Sequence, residues 1–280
     1  MFRMLLLLAL LIPVATSTAT SPNAHEIIQK SVSATQQDWS EAPNYAFVDR
    51  EILGKHGHVQ PAKTYEVLMI EGSPYNKLIA INDVPLSPQQ RAIQARKLAA
   101  IINKRQHESE SARQKRIAKY IRERSQDHRM LTEMVDAFDY TLVGEDMLAG
   151  HKVWVLKAAP KPGYVPHNHE EKMLQRMRGQ MWIDEATCQW VKVQADVVKP
   201  VSMYGFIAKV KPGTRFELQQ EPVAPGLWLP KHFSVQVKAT ALGIWNENSR
   251  EDDTYRAYQP MSHAMAKGAA PLDAITDTSR

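Results

Sequence analysis

The sequence is poor in cysteine, since Cys188 is the single one among 280 residues. One thiol excludes an intramolecular disulfide, so the fold must be held by its hydrophobic core. Common catalytic and nucleotide-binding motifs are also missing, including G-x-S-x-G, H-E-x-x-H, the phosphate-binding P-loop and G-x-G-x-x-G. We therefore predict a protein that is not an enzyme, with no catalytic residues and no cofactor. The alternative is an uncharacterised hydrolase whose carboxylates meet only in three dimensions.

Long apolar runs are scarce as well, and the one clear example lies at the start. Arg3 precedes an apolar run from Met4 to Val14, and small residues follow up to Ala19. This pattern is typical of a secretory signal peptide and is too short for a membrane span. No cysteine follows the run, so a lipobox is missing. We expect removal of residues 1–19 and a periplasmic or secreted mature chain.

The mature chain is predicted to form one domain over residues 20–260, because β-rich domains commonly reach about 200–250 residues. Runs of β-branched and aromatic residues alternate there with turn-forming Gly, Pro, Asn and Asp, which indicates about ten antiparallel strands. The predicted strands are 45–52, 64–71, 77–82, 140–145, 152–157, 180–183, 189–198, 214–220, 228–241 and 253–258. The tail at 261–280 lacks periodicity and is predicted to be disordered.

Two shorter segments and one long segment have helical signals. Asn23, three residues before Glu26, predicts a short amphipathic helix at the start of the domain. A second helix is predicted over 170–177, after a proline-rich stretch. Ser87, Pro88 and Gln90 form a capping-box pattern, and a helical insertion is predicted at about 87–130. A sheet of this size must curl, so the predicted fold is α+β with a large curved antiparallel sheet and helices over its hollow side.

The helical insertion carries most of the positive charge. Twelve basic and four acidic residues lie between Arg91 and Arg129. Such charge is most often a solvated helix face, with docking on an anionic membrane or an acidic partner as the alternative. Nucleic acid is not predicted as a partner, because we expect the chain to be exported. In addition, Tyr120 is the one aromatic residue among the basic residues of the insertion, and aromatic side chains are needed to stack on nucleobases. The candidate contact residues are Arg105, Arg113, Lys115, Arg116, Lys119 and Arg122.

The segment 179–198 has the clearest hairpin pattern. Asp184 and Thr187 can bond their own backbone and close a turn. After the turn, Val191, Val193 and residues 195 and 197 alternate with polar residues, which predicts a strand with one buried face. Similar alternation in later strands gives an apolar face that could fill a core or bind an apolar ligand. The candidate ligand-binding residues are Met181, Ile183, Val191, Val193, Phe216, Leu218, Phe233, Val235 and Val237.

A polar cluster at 167–171 contains two His and two Glu residues, His167, His169, Glu170 and Glu171. These residue types can bind zinc, but the sequence offers no distant third ligand. A hydrophilic lead-in to a helix, with acids near its N-terminus, explains the cluster as well. We therefore predict no metal site, and a zinc site is the alternative.

The hairpin also carries a family resemblance. Gly179, Trp182, Ile183, Asp184 and Thr187 resemble the "G-x-x-W-I-D…T" hairpin of the outer-membrane lipoprotein-sorting-protein-like family, the LolA/RseB-like half-barrel superfamily. The resemblance implies a half-open barrel that holds a lipid or lipoprotein acyl chain and serves as a carrier. The alternative function is an envelope sensor or interaction protein that docks through its basic helical insertion.

Overall fold

The computed structural model describes residues 23–168, 171–203, 208–241 and 245–261. The predicted signal peptide at 1–19 lies outside the described residues. The predicted tail lies outside them too, apart from its first residue, Met261.

The described residues form three α-helices, at Ala24–Glu41 (α1), Pro88–Gln106 (α2) and Glu110–Ala137 (α3). The predicted caps are present, because the Asn23 side chain accepts a hydrogen bond from Glu26 N at 2.9 Å and Ser87 forms a full capping box with Gln90. α1 is longer than the short helix predicted. Its second half buries Thr35 and Asp38, which are polar and so escape a search for apolar periodicity.

The predicted insertion consists of two helices, because the backbone breaks after α2 and Ser109 caps α3 by accepting a hydrogen bond from Ala112 N. α3 continues to residue 137, beyond the predicted end. The segment predicted as a helix at 170–177 is a short 3-10 helix at Glu171–Arg176.

Strands make up most of the remaining chain. Their bounds are Tyr45–Lys55 (β1), His58–Val59 (β2), Lys63–Ile70 (β3), Ser73–Ile81 (β4), Val84–Pro85 (β5), Phe138–Leu148 (β6), His151–Pro160 (β7), Met177–Asp184 (β8), Trp190–Val197 (β9), Val201–Met203 (β10), Ala208–Val210 (β11), Arg215–Ala224 (β12), Leu227–Val237 (β13), Ala239–Ala241 (β14), Trp245–Asn246 (β15) and Ser249–Pro260 (β16). Each predicted strand has a counterpart among them.

The main sheet has 12 strands in the order β5-β4-β3-β1-β16-β13-β12-β9-β8-β7-β6, with β2 paired to β1. Neighbouring strands are antiparallel, and the two ends of the order do not pair. This confirms the predicted α+β fold with a large open antiparallel sheet. A second sheet of four short strands, β10-β11-β14-β15, was not predicted. It forms because the strand predicted at 228–241 breaks at Lys238, so that β14 leaves the main sheet.

The strand register places one row of side chains across the middle of the sheet. Directly opposed residues of antiparallel strands lie on the same face. The row contains Leu142, Leu156, Met181, Val193, Leu218, Phe233, Asp253 and Glu51, in the order of the strands. We call the face that carries this row the inner face. It is apolar over six strands and acidic on the next two.

Two helices, α1 and α3, cover part of the inner face. Ile27 and Ile28 of α1 are 1% exposed and pack against Leu156, Met181 and Trp190 of the sheet. α3 is about 42 Å long and contacts β4 near one end of the sheet and β6 at the other. It therefore bridges the two unpaired sides of the open barrel. Among the described residues, none of the helices is both long and apolar enough to cross a membrane.

Candidate ligand-binding face

The hairpin of β8 and β9 is closed by the turn that the sequence predicts. Asp184 Oδ1 accepts hydrogen bonds from Thr187 N at 2.8 Å and from Thr187 Oγ1 at 2.7 Å. The other carboxylate oxygen, Oδ2, lies 3.2 Å from His151 Nδ1. Cys188 follows in a left-handed conformation with φ 59°, and burial raises the pKa of its thiol. Because a thiol with a raised pKa forms less thiolate, Cys188 is a poor nucleophile.

Gly179 of the motif is required by strand packing. A Cβ at this position would lie 2.9 Å from the carbonyl oxygen of Gln194 on β9. This distance is shorter than a normal contact, and the obstructing atom belongs to the backbone. The glycine therefore allows β8 and β9 to pair closely under α1.

Three of the predicted ligand-binding residues lie beneath α1. Met181, Ile183 and Val193 are 1%, 0% and 4% exposed, and all three belong to the cluster that contains Ile27 and Ile28. Their apolar area already contacts the helix. In this structure they form the protein core rather than an open surface.

Val191 lies apart from the other predicted residues. The register of β8 and β9 shifts between Trp182 and Ile183, and Val191 packs with Val153, Val155 and Trp228 in a separate cluster. The simple alternation predicted from Val191 to Val193 is therefore wrong. A β-bulge adds one residue to the strand, and a one-residue offset turns a side chain to the opposite face.

The remaining five predicted residues form a strip that is only half-buried. Phe216 and Leu218 of β12 lie at the margin of the α1 cluster. Phe233, Val235 and Val237 of β13 continue the inner face beyond them, and the rings of Phe216 and Phe233 meet edge-to-face at 5.4 Å. We call Phe216, Leu218, Phe233, Val235 and Val237 the apolar strip.

Carboxyl groups border the apolar strip on the side of β16 and β1. Asp253 is directly opposite Phe233 and is 5% exposed. Its Oδ2 accepts a hydrogen bond from Tyr255 OH at 3.2 Å, and its Oδ1 has no hydrogen-bond partner among the described residues. Asp49 Oδ1 is likewise buried without a partner there. The inner face thus changes from apolar to acidic within one strand spacing.

The environment makes these carboxyls weak acids. Burial raises the pKa of Asp49 to about 7, with a further contribution from the negative charges of Glu51 and Glu251. Burial, followed by the charges of Asp49 and Glu251, also raises the pKa of Asp253. These carboxyls were not among the predicted site residues. The signal was available, because Asp49 and Glu51 occupy alternate positions between Phe47 and Leu53 of the predicted strand.

The predicted basic contact residues separate into two groups. Arg105 donates hydrogen bonds to the carbonyl oxygens of Ile70, Ser73 and Pro74 at 2.9, 2.7 and 3.1 Å. Arg116 donates to Glu71 O at 3.0 Å and pairs with Glu108. Both guanidinium groups therefore fasten the helices to the β3–β4 turn.

The other four basic residues are exposed. Arg113 forms an exposed ion pair with Glu71 at 3.4 Å. Lys115, Lys119 and Arg122 are exposed and spaced four and three residues apart, so they lie on one face of α3. We call Lys115, Lys119 and Arg122 the basic stripe.

Comparisons with known proteins identify similar folds. No family model and no curated protein matches the chain. Among solved structures, a DUF1329 family protein from Desulfovibrio piger is 13% identical, with a TM-score of 0.34 and coverage of 86% of this chain and 94% of that one. A domain described as an outer membrane lipoprotein-sorting protein domain from Vibrio parahaemolyticus is 11% identical, with a TM-score of 0.32 and coverage of 84% and 94%. A LolA superfamily protein from Nitrosomonas europaea is 10% identical, with a TM-score of 0.33 and coverage of 86% and 94%. The descriptions of the last two proteins name the same group that the hairpin resembles.

Proposed function

We propose that this chain is an exported, non-enzymatic binding protein that holds an acyl chain of a lipid or lipoprotein against the apolar strip. The observation that carries the proposal is that the apolar inner face extends beyond α1. Met181 and Val193 are covered by the helix, whereas Phe233, Val235 and Val237 continue the same face half-buried. If these residues served only as core, the apolar face would be expected to end where α1 ends.

The chemistry of the strip fits an aliphatic chain. Phe233 to Val237 extend for about 13 Å along β13, at about 3.3 Å per residue. Each buried methylene contributes about 0.8 kcal/mol, so six methylenes on the strip contribute about 5 kcal/mol before ordering costs. The aromatic and branched aliphatic side chains of the strip provide apolar contact area. They need no hydrogen bonds from the ligand, and an acyl chain has none to offer.

A matched pair of substitutions tests this proposal. Val235 lies on the inner face, and its neighbour Ser234 points to the opposite face of the same strand. Val235→Asp should weaken binding of a fluorescent long-chain fatty acid at least about tenfold, because an ionised carboxylate would replace apolar contact. Ser234→Asp should bind like the wild type. Val235→Thr, which keeps the side-chain shape, gives a second variant should the aspartate prevent folding.

Lipid extraction from gently purified protein, followed by mass spectrometry, provides an independent measurement. The proposal predicts an acyl-containing molecule that copurifies with the wild type and is depleted in Val235→Asp. Equal fatty-acid affinity in the Val235→Asp and Ser234→Asp proteins, with no copurifying lipid, would refute it.

The basic stripe favours a second function, peripheral docking on an anionic membrane. Lys115, Lys119 and Arg122 are exposed on one helix face, and each basic residue near an anionic surface contributes about 1 kcal/mol. Replacing all three by Gln should weaken binding to phosphatidylglycerol-containing vesicles about a hundredfold and reduce its salt dependence. Replacing three exposed bases of α2, Arg91, Arg96 and Lys97, is the control with the same loss of charge. Equal effects of the two triple variants would show that total charge, and not the stripe, governs the association.

A further inference from the structure

Three metal-binding side chains meet at the end of α3. Glu133 comes from α3, His167 from the loop after β7, and Glu171 from the start of the 3-10 helix. One ligand atom from each lies within 4.8 Å of the other two. His167 Nδ1 is 3.2 Å from Glu171 Oε2 and 3.7 Å from Glu133 Oε2.

The two carboxylates are buried or partly buried and held in place, whereas the imidazole of His167 is 73% exposed. Glu171 is 4% exposed, and the side chain of Glu133 is 24% exposed. Tyr164 OH donates to both carboxylates, at 3.1 Å to Glu133 Oε2 and 3.3 Å to Glu171 Oε2. Asn168 Nδ2 donates to the second oxygen of Glu171 at 2.6 Å. A tyrosine and an asparagine thus orient the carboxylates, as residues around metal ligands commonly do.

The donor atoms of the cluster face one another. One oxygen of each carboxylate lies toward the same imidazole nitrogen, so a cation placed between them would contact all three ligand atoms.

We propose that Glu133, His167 and Glu171 bind a divalent transition-metal ion of the Zn²⁺ class, through His167 Nδ1 and one oxygen of each carboxylate. One imidazole nitrogen and two carboxylate oxygens form a donor set that Zn²⁺ accepts, and Mn²⁺, Co²⁺ and Ni²⁺ accept similar sets. Three protein ligands leave at least one position for water or another ligand. A bound ion would join α3 to the connection between β7 and β8, two segments that are far apart in the sequence.

The third ligand, Glu133, could not be recognised from the sequence because it is remote from the other two. His167 and Glu171 lie four residues apart, whereas Glu133 precedes His167 by a strand hairpin and the last turn of α3. The fold brings Glu133 to the loop because α3 runs directly into β6 and β6 pairs with β7. Lys161 N, which donates to Ala137 O at 2.9 Å, fixes this junction.

Isothermal titration of the mature chain with ZnCl₂ tests the proposal. We expect one site whose affinity falls as the pH is lowered, because protons compete with the metal ion for its ligands. Glu133→Gln and His167→Gln should each weaken binding at least about tenfold. Glu133→Gln is the cleaner variant, since an amide oxygen can still accept the hydrogen bond from Tyr164.

Two controls separate this site from adventitious binding by surface residues. His58→Gln removes an exposed histidine elsewhere, and Glu123→Gln removes an exposed carboxylate of α3. Both should bind zinc like the wild type. Titration with Co²⁺ adds a spectroscopic readout, since its visible absorption reports imidazole and carboxylate coordination and should disappear in the His167→Gln protein.

Zinc binding that is unchanged in both Glu133→Gln and His167→Gln would place the ion elsewhere and overturn the proposal. Absence of binding by the wild type at neutral pH would overturn it too. Neither result would affect the acyl-chain proposal, because the metal cluster and the apolar strip share no residue.

Discussion

Arg105 should hold the inserted helices on the sheet, and its replacement gives a direct test. The guanidinium group donates hydrogen bonds to three backbone carbonyls of one turn, those of Ile70, Ser73 and Pro74. These acceptors lie at the end of β3 and the start of β4. We expect Arg105→Ala to loosen the end of α2 from this turn.

The size of the effect follows from the number of bonds. Hydrogen bonds from a charged donor contribute about 1.5–3 kcal/mol each when well buried. Arg105 is half-exposed, so about 1 kcal/mol for each bond is appropriate, and the total loss is about 3 kcal/mol. For a chain of this length, that corresponds to a fall in Tm of about 6–12 °C.

Urea unfolding followed by circular dichroism measures the change. Lys104→Ala is the matched control, because Lys104 is the preceding residue and is exposed; it should change stability by less than about 0.5 kcal/mol. Arg105→Lys keeps the charge but loses the planar fork, and should recover only part of the stability. If Arg105→Ala were no more destabilising than Lys104→Ala, the anchoring role argued here would be wrong.

Three further substitutions test the core and the acidic border. Ile27→Ala should lower the free energy of unfolding by about 2–5 kcal/mol, measured by urea unfolding, because Ile27 is 1% exposed against the sheet. Gly179→Ala should cost about 1–3 kcal/mol in the same assay, since the added Cβ would meet Gln194 O at 2.9 Å. Because the pKa of Asp49 is raised from 3.8 to about 7, the folded state retains a proton that the unfolded chain releases, and stability should fall as pH rises through this interval. Asp49→Asn should flatten that part of the stability profile, and an unchanged profile would contradict the assignment.

Local signals in the sequence predicted much of the fold. The Ser87 capping box, the Asn23 cap and the Asp184–Thr187 turn each depend on residues within four positions of one another. All of them are present in the structure. Alternation likewise located the strands of the main sheet, since one buried face produces a period of two wherever the strand is regular.

Features that depend on tertiary contacts were missed for identifiable reasons. The bulge that moves Val191 is invisible in the sequence, because an apolar Val191 followed by a charged Lys192 also fits the alternation of a regular strand. Met181 was predicted to contact a ligand because the sequence does not show that Ile27 would cover it. The roles of Arg105 and Arg116 were also hidden, since their acceptors are backbone atoms near residue 70.

Helix α3 carries the basic stripe and one of the proposed metal ligands, and its position also affects access to the apolar strip. Near its start, Arg116 and Ile117 fix the helix to the β3–β4 turn, where the Ile117 side chain packs against Gly72. In its middle, the Arg124 guanidinium stacks on the ring of Trp39 at 4.3 Å and donates to its carbonyl, which holds α3 against α1. At its far end, Glu133 accepts a hydrogen bond from Tyr164 OH at 3.1 Å. Because α3 is held at three places along its length, the basic stripe beside the first two should be presented in a fixed orientation. A ligand would then have to reach the apolar strip from beside α3, since displacing the helix would require all three attachments to break.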